Sequence, residues 1–474
     1  MAFMKERFKN ISISTALPYV GLAAVLLSFK LTLIALYGNA TPLWDQWDLE
    51  ADTLYRPWIN GSLVWSDLFS PHCEHRMFTT RLLALLLFEI NGRVWNPILQ
   101  MQLNAVLHVL ALSVFLFYSG KLLTGKYKTA FFVFCTLLFC IPFSWENILF
   151  GIQSQPYLFL LFSFIFLWAM VNCKPLSLKW WGGFLFGLLC MLTQAAGAIT
   201  VLAGALIVAL RQVEEKENKI VVVSAVALLA MVATIAVVFT PDIPSHAHLK
   251  AKSVSQFFRA LVTLFSWPEN KIGIGVFVIQ IPLLVFMFKV LRRSDYRTSA
   301  HLFIFAIGLW LIGQFVLLSY GRALDVTASR YRDIFAIGTA INFATLLILF
   351  GDVKNKLKMG AATVIVVWLV TVTAGIAMSA GKIYGEILLK WEQSVEQEKN
   401  ICAYLCTGDG GHLRNKPFLH VPYPNPDRLQ TLLDNPTIRS FLPRNICGQS
   451  LAEKLGVDEK IICDPRQIYG YMAE

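Results

Sequence analysis

Hydrophobic positions along this chain fall in long runs separated by short polar stretches, not in the spaced stripes of a water-soluble helical protein. The runs are 18–37, 95–118, 129–143, 156–171, 180–210, 220–239, 272–288, 302–320, 334–350 and 361–380. Most approach the ~20 residues that a helix needs to cross ~30 Å of hydrocarbon. Lipid offers the backbone no hydrogen-bond partner, so each run is expected as a self-satisfied helix. The first run follows Lys5, Arg7 and Lys9 as a signal peptide would, but further runs follow and no small-residue cleavage site is evident, which predicts a retained helix.

The run 180–210 is too long for one crossing and short for two, since at 1.5 Å per residue it makes ~46 Å of helix. Charge decides how it is used, because Lys and Arg gather in cytoplasmic loops. The clusters Lys121/Lys126/Lys128, Lys174/Lys179, Arg211/Lys216/Lys219, Lys289/Arg292/Arg293/Arg297 and Lys354/Lys356/Lys358 share one side only if the run bends near Gln194 to Gly197 and crosses twice. The predicted fold is an all-α polytopic membrane protein of about eleven transmembrane helices with a cytoplasmic N-terminus. Its helical domain spans 1–380 and includes a large first outer loop over 38–94. A small extracytoplasmic C-terminal domain spans 381–474, and a bacterial inner membrane with a periplasmic tail is the expected setting. The apolar stretch 81–90 is short enough to lie in the interface, and 383–405 has the pattern of an amphipathic helix leaving the membrane.

Composition agrees: 56% of the residues are hydrophobic, 15% are charged and the mean hydropathy is +0.58, whereas soluble domains carry roughly 25% charged residues. The net charge of +11 does not mark a nucleic-acid partner. From residue 381 onward basic and acidic residues nearly balance, so the excess belongs to the short loops between spans. Four of the nine cysteines, Cys402, Cys406, Cys447 and Cys463, lie in the tail, where an oxidising compartment makes one or two disulfides the expected pairing.

Chemistry-bearing residues concentrate in the predicted outer segments. The stretch Trp44-Asp45-Gln46-Trp47-Asp48 follows the first span closely, and on a helical turn the carboxylates of Asp45 and Asp48 would face one way, as a general base or as hard oxygen ligands for a divalent metal. The run His72-Cys73-Glu74-His75-Arg76 adds proton-exchanging groups and a guanidinium suited to phosphate. A later outer loop holds Arg322, Arg330, Tyr331 and Arg332, against the inside bias of basic residues, and an anionic ligand is the simplest reason. Those arginines also have Asp325 and Asp333 at hand as partners. Trp145-Glu146-Asn147, Gln153 and Gln155 are weaker candidates for sugar contacts, and His108 on an apolar run is expected to be a hydrogen-bonded core residue.

With Asp45 and Asp48 just after the first span and Arg330-Tyr331 near a later outer helix end, the arrangement resembles GT-C-type integral membrane glycosyltransferases. The resemblance implies transfer of a sugar from a polyprenyl-phosphate lipid to a glycan or lipid-linked acceptor. It implies Asp45 as base with Asp48 in support, and Arg330, helped by Arg322 or Arg76, on the departing phosphate. His72, Glu74 and His75 would then line the acceptor side. The acidic spacing is Asp-x-x-Asp where the family carries Asp-x-Asp, which leaves open both a divalent metal on Asp45 and Asp48 and the choice of base. A carrier or flippase, or a noncatalytic subunit of an envelope-glycan assembly, are the alternatives; Lys30 is the only Lys, Arg, Asp or Glu inside the runs, which speaks against a carrier.

Overall fold

The computed structural model describes residues 13–215, 218–268, 275–444 and 446–447; Lys216, Cys463 and the first residues of the run 272–288 lie outside them. Among the described residues the chain is helical, with one isolated antiparallel bridge between His72 and His75. The longer helices are α1 (Ile13–Tyr37), α2 (Phe78–Ile90), α3 (Pro97–Ser119), α4 (Gly125–Cys140), α5 (Ser154–Asn172), α6 (Leu178–Thr193) and α7 (Gly197–Glu215). They continue as α8 (Lys219–Val238), α9 (Val254–Phe265), α10 (Ile281–Arg292), α11 (Ser299–Gly321), α12 (Arg332–Gly351), α13 (Lys358–Thr407) and α14 (Pro426–Asp434). Their starts follow from local chemistry. Asn96 accepts the Leu99 N–H at 3.0 Å with Pro97 in the first turn, and Ser177 and Ser253 accept from Trp180 and Gln256 at 3.3 and 3.2 Å.

Seven helices among the described residues are long and apolar enough to cross a membrane. Exposed Val223, Val237, Val364 and Val370 on α8 and α13 suit a lipid surface rather than water. Helix α13 runs for 50 residues, ~75 Å at 1.5 Å per residue, so far more than a single crossing. The amphipathic stretch read over 383–405 is therefore the upper part of the same helix as the last apolar run. It stops at Gly408, whose φ of +70° closes the helix with an N–H donated to the Tyr404 carbonyl at 2.8 Å.

The run 180–210 folds as an antiparallel hairpin of α6 and α7. Gly197 lies against the Cys190 backbone, Gly187 faces Val201, and Ser163 on α5 reaches both Cys190 and Thr200. Small residues let the legs approach; in lipid such close packing and polar contacts hold helices together. Gln314 donates to the Ala196 carbonyl at 3.3 Å and the Ala195 N–H donates to His75 Nδ1 at 3.3 Å, so other segments satisfy the turn's backbone. The run 272–288 is also interrupted, at Gln280, between a short turn Gly275–Ile279 and α10. Asn342 accepts the Leu283 N–H at 3.1 Å and donates to Gln280 Oε1 at 2.9 Å, replacing the bonds that the break removes.

Beside the core of the helix bundle, a second core joins the long loop after α1 to the C-terminal segment. Trp47, Tyr55, Phe88 and Trp95 pack with Ile401, Leu429 and Phe441, and Tyr55 stacks on Phe88 with ring centroids 4.1 Å apart. Main-chain bonds stitch the two, from Trp44 N–H to the Pro422 carbonyl at 2.7 Å and from Trp95 N–H to the Phe441 carbonyl at 2.8 Å. A disulfide ties Cys402 to Cys447, Cα to Cα 5.5 Å. The tail thus shares its core with the loop: too few apolar residues follow 400 to build one alone.

Candidate functional site

Under this cap of loop and tail lies a cavity of about 590 Å³, in the range of small-molecule sites. Its walls come from segments remote in sequence: the loop after α1, the turn after Pro71, the connection from α4 to α5, the α6–α7 turn, the stretch before α9, the α11–α12 loop, and the upper half of α13.

The turn after Pro71 is built by reciprocal main-chain bonds between His72 and His75 at 2.7 and 3.1 Å, with Cys73 and Met77 at φ +49° and +52°. Arg81, buried, donates to the carbonyls of Leu68 and Arg76 and so holds this loop. The turn aims His72, Glu74 and His75 into the cavity. Glu74 receives Arg322 Nη2 at 3.0 and 3.1 Å and pairs with His246 Nδ1 at 2.7 Å, joining three loops. Burial alone would raise the Glu74 carboxyl; His246, a backbone N–H and Arg322 outweigh it and hold it down to about 2. His75 is lowered to about 4, by burial first and by Arg322, with Glu74 opposing, so it is neutral at pH 7. The Cys73 thiol is pushed up to about 11 by burial and by the carboxylates of Asp45 and Glu74, which removes it as a nucleophile.

Asp45 also lines the cavity. Its carboxylate is 58% exposed, and the nearest ring nitrogen, His72 Nε2, stands 3.6 Å away. Trp44 before it stands at φ +47°, a left-handed conformation unfavourable for a bulky residue, held by the bond to Pro422. Asp48 does not join Asp45. A π-helix begins at Gln46, and its wider i→i+5 winding turns Asp48 and Asp52 toward the tail, where Tyr423 donates to Asp48 and Arg428 to both carboxylates. The shared carboxylate face expected for catalysis or a metal is therefore absent, and Asp48 is part of a clasp between loop and tail. Among the described residues no three of His, Cys, Asp and Glu are grouped as a ligand set.

Arg322, Arg330 and Tyr331 line the cavity as well. Their pairing differs from the one the sequence offered: Arg322 goes to Glu74, Arg330 to Asp325 and Arg332 to Glu386. Asp333 instead accepts from Ser144 Oγ at 2.6 Å and Asn147 Nδ2 at 3.0 Å. Arg76 stands outside, donating to the Phe239 carbonyl at 3.1 Å. His108 is not a hydrogen-bonded core residue: both ring nitrogens lack a partner, its ring stacks on Tyr157, and Nε2 sits 3.5 Å from Asp333 Oδ1.

No protein-family model matches this chain, and no curated protein does. The site must therefore be read from its own chemistry.

Several lining residues were not singled out by sequence reasoning. Lys390, Gln393, Ser394 and Gln397 reach the cavity from α13 at i, i+3, i+4 and i+7, one face of a helix. That spacing is visible in the sequence, but its partner surface is not. His246 is another such residue, locked to Glu74, whereas Glu146, a weaker candidate from the sequence, accepts from Ser329 Oγ at 2.6 Å and from the Arg330 N–H at 3.0 Å, fixing the arginine loop to the α4–α5 connection.

Proposed function

We propose that this chain is a membrane glycosyltransferase that moves a sugar from a polyprenyl-phosphate donor to a glycan or lipid-linked acceptor at the outer face of the membrane. The observation that carries the reading is the shared cavity of Asp45, Arg322 and Arg330, at the ends of apolar helices where a lipid phosphate and a water-borne hydroxyl can meet. Asp45 takes the proton of the acceptor hydroxyl. The hydroxyl oxygen bonds to the anomeric carbon, the bond from that carbon to the phosphate oxygen breaks, and the polyprenyl phosphate leaves with the electron pair. His72 stands 3.6 Å from the Asp45 carboxylate, and cationic side chains meet the charge that develops on the phosphate.

An eleven-crossing topology accompanies the proposal. It is supported by helix ends that alternate between the cavity and the far side, where Lys289 pairs with Asp352 at 3.3 Å and Arg211 donates to the Met170 and Cys173 carbonyls at 2.8 Å. Lys289 and Arg211, from two of the basic clusters, stand at those ends, and on this reading that side is cytoplasmic.

A carrier is the second reading, favoured by one observation: Lys30 is buried within α1 in electrostatic reach of Asp333, beside the unpartnered His108. Purified protein in lipid vesicles, given a radiolabelled polyprenyl-phosphate sugar and a mixture of glycan acceptors, separates the two. Transfer should occur and fall by ~10²–10⁴-fold in Asp45→Asn, the usual contribution of a general base. Movement of the lipid across the bilayer without transfer, or a fully active Asp45→Asn, would reject the enzyme reading.

A further inference from the structure

We propose that the α13 wall of the cavity is an acceptor subsite for an anionic carbohydrate, a uronic acid or a phosphosugar, with Lys390 as the residue that selects for the charge. The inference rests on the transferase reading and names the class of its second substrate.

Three Lys and Arg side chains line the cavity, and they differ in how their charge is already used; burial lowers the Lys390 ammonium to about 8, which leaves it mostly charged at pH 7. Arg322 is bound to Glu74 and Arg330 to Asp325, so each brings its own counter-charge. Lys390 has only a neutral partner among the described residues, the Ser394 hydroxyl at 2.8 Å. One helical turn on, the Gln393 side chain faces the same cavity and makes no hydrogen bond to the described residues. A cation without a carboxylate and an amide without a partner, side by side in a concave site, are groups waiting for an anionic, hydroxylated ligand.

The same wall continues to Asp45. Gln397 donates to the Leu419 carbonyl at 2.8 Å, and the neighbouring Phe418 ring lies 6.4 Å from the Trp44 ring, centroid to centroid. Both rings are exposed, Trp44 at 38% and Phe418 at 60%. Flat apolar rings beside amides and a cation suit a sugar, whose C–H face covers a ring while its hydroxyls take the amides. A sugar held by these groups would present a hydroxyl to Asp45, which follows Trp44 directly. The part of the cavity lined by Arg322, Arg330 and Tyr331 is left to the donor.

Saturation-transfer NMR on the detergent-solubilised full chain tests this, with methyl β-glucuronide and methyl β-glucoside as probes. Wild type should favour the glucuronide by about fivefold, the effect of one partly exposed ion pair. Lys390→Gln should remove the preference and Lys390→Arg should restore it. Gln393→Ala should weaken both probes together, which keeps the test informative if a Lys390 variant folds poorly. Equal signals from both probes in wild type, or an unchanged preference in Lys390→Gln, would overturn the proposal. So would inorganic phosphate displacing the glucuronide when the glucoside never binds, since that describes a bare anion site. Donor binding is followed separately with farnesyl monophosphate: its absence counts against the transferase reading, whereas loss of the glucuronide preference alone counts against the acceptor class.

Discussion

Substituting Gly197 by Ala tests the turn on which the two-crossing reading of 180–210 depends. A Cβ at this position would stand 2.5 Å from the Cys190 carbonyl carbon and the Met191 nitrogen, and 2.6 Å from the Cys190 oxygen. These are backbone atoms inside the last turn of α6, so no side-chain rotation relieves the contact. Restoring van der Waals separation requires the two legs to part by roughly 1 Å, at a cost of about 3 kcal/mol, the upper range for overpacking a close-packed core. The displacement also loosens the contact of Gly187 with Phe166 and Val201. Gly182→Ala in the same α6 is the control, because nothing lies within 4 Å of its Cβ and helix propensity alone should stabilise it by ~1 kcal/mol. Thermal unfolding of both variants in detergent, followed by tryptophan fluorescence, should place Gly197→Ala well below wild type and Gly182→Ala at or above it. If Gly197→Ala melts with wild type, the legs do not meet at this turn, and the placement of every basic cluster after it must be redrawn.

Two further outcomes follow from the cap of loop and tail. Glu50 is fully buried, and burial, against hydrogen bonds donated by Gln46, Trp95 and Gln100, raises its carboxyl from 4.5 to about 7. The unfolded chain loses this proton near pH 4.5 while the folded chain keeps it until about 7, so stability is full at the acid end and falls by about 3 kcal/mol across that window. Glu50→Gln should flatten the melting profile over the same window, and parallel profiles for variant and wild type would contradict the assignment. Arg428→Ala leaves Asp48 and Asp52 facing one another without their shared cation. It should cost about 1 kcal/mol and speed amide exchange in the tail severalfold, with no change in the helices of the membrane bundle; uniform exchange rates would refute a local clasp.

Much of the bundle could be read from the chain because its signals are short-range. Apolar run length and loop charge need no knowledge of partners, and they predict both the long helices and the bend at Gln194 to Gly197. The interruption at Gln280 was invisible because the compensating Asn342 belongs to another helix. Asp45 and Asp48 show the same limit at the site. A spacing of three suggests a common face only for α-helical winding; the π-helix and a guanidinium nearly at the far end of the chain send the second carboxylate elsewhere. His108 was misjudged for a related reason, since an apolar helix face says nothing about whether a neighbouring helix will bring an acceptor to its nitrogens. The polar stripe from Lys390 to Gln397 lay within a stretch that also carries Glu392, Glu396 and Lys399, and only the packing of α13 separates the face toward the cavity from the face toward water.

The distribution of pairing among the acidic residues gives the site its direction. Asp48 and Asp52 share Arg428, Glu74 holds Arg322 and His246, and Glu50 collects three donors. Asp45, in the middle of these, is left with a single histidine at 3.6 Å and an open face. Its neighbours on both sides are the most constrained part of the loop. Trp44 is tied to the tail through Pro422, while Gln46 donates to Glu50 and Gln100 and accepts the Leu43 N–H at 3.2 Å. A carboxylate serving only to hold the loop would be paired as its neighbours are. On the proposed transferase reading, fixing the backbone on either side while leaving the side chain unengaged would prepare a base for a substrate proton, because little reorganisation remains when the hydroxyl arrives. By the same logic the tail is part of the cavity: it supplies the contact that sets Trp44, the Phe418 ring near Trp44 and the amides of Gln393 and Gln397 in the lining, so weakening its attachment should disturb the cavity before it disturbs the membrane bundle.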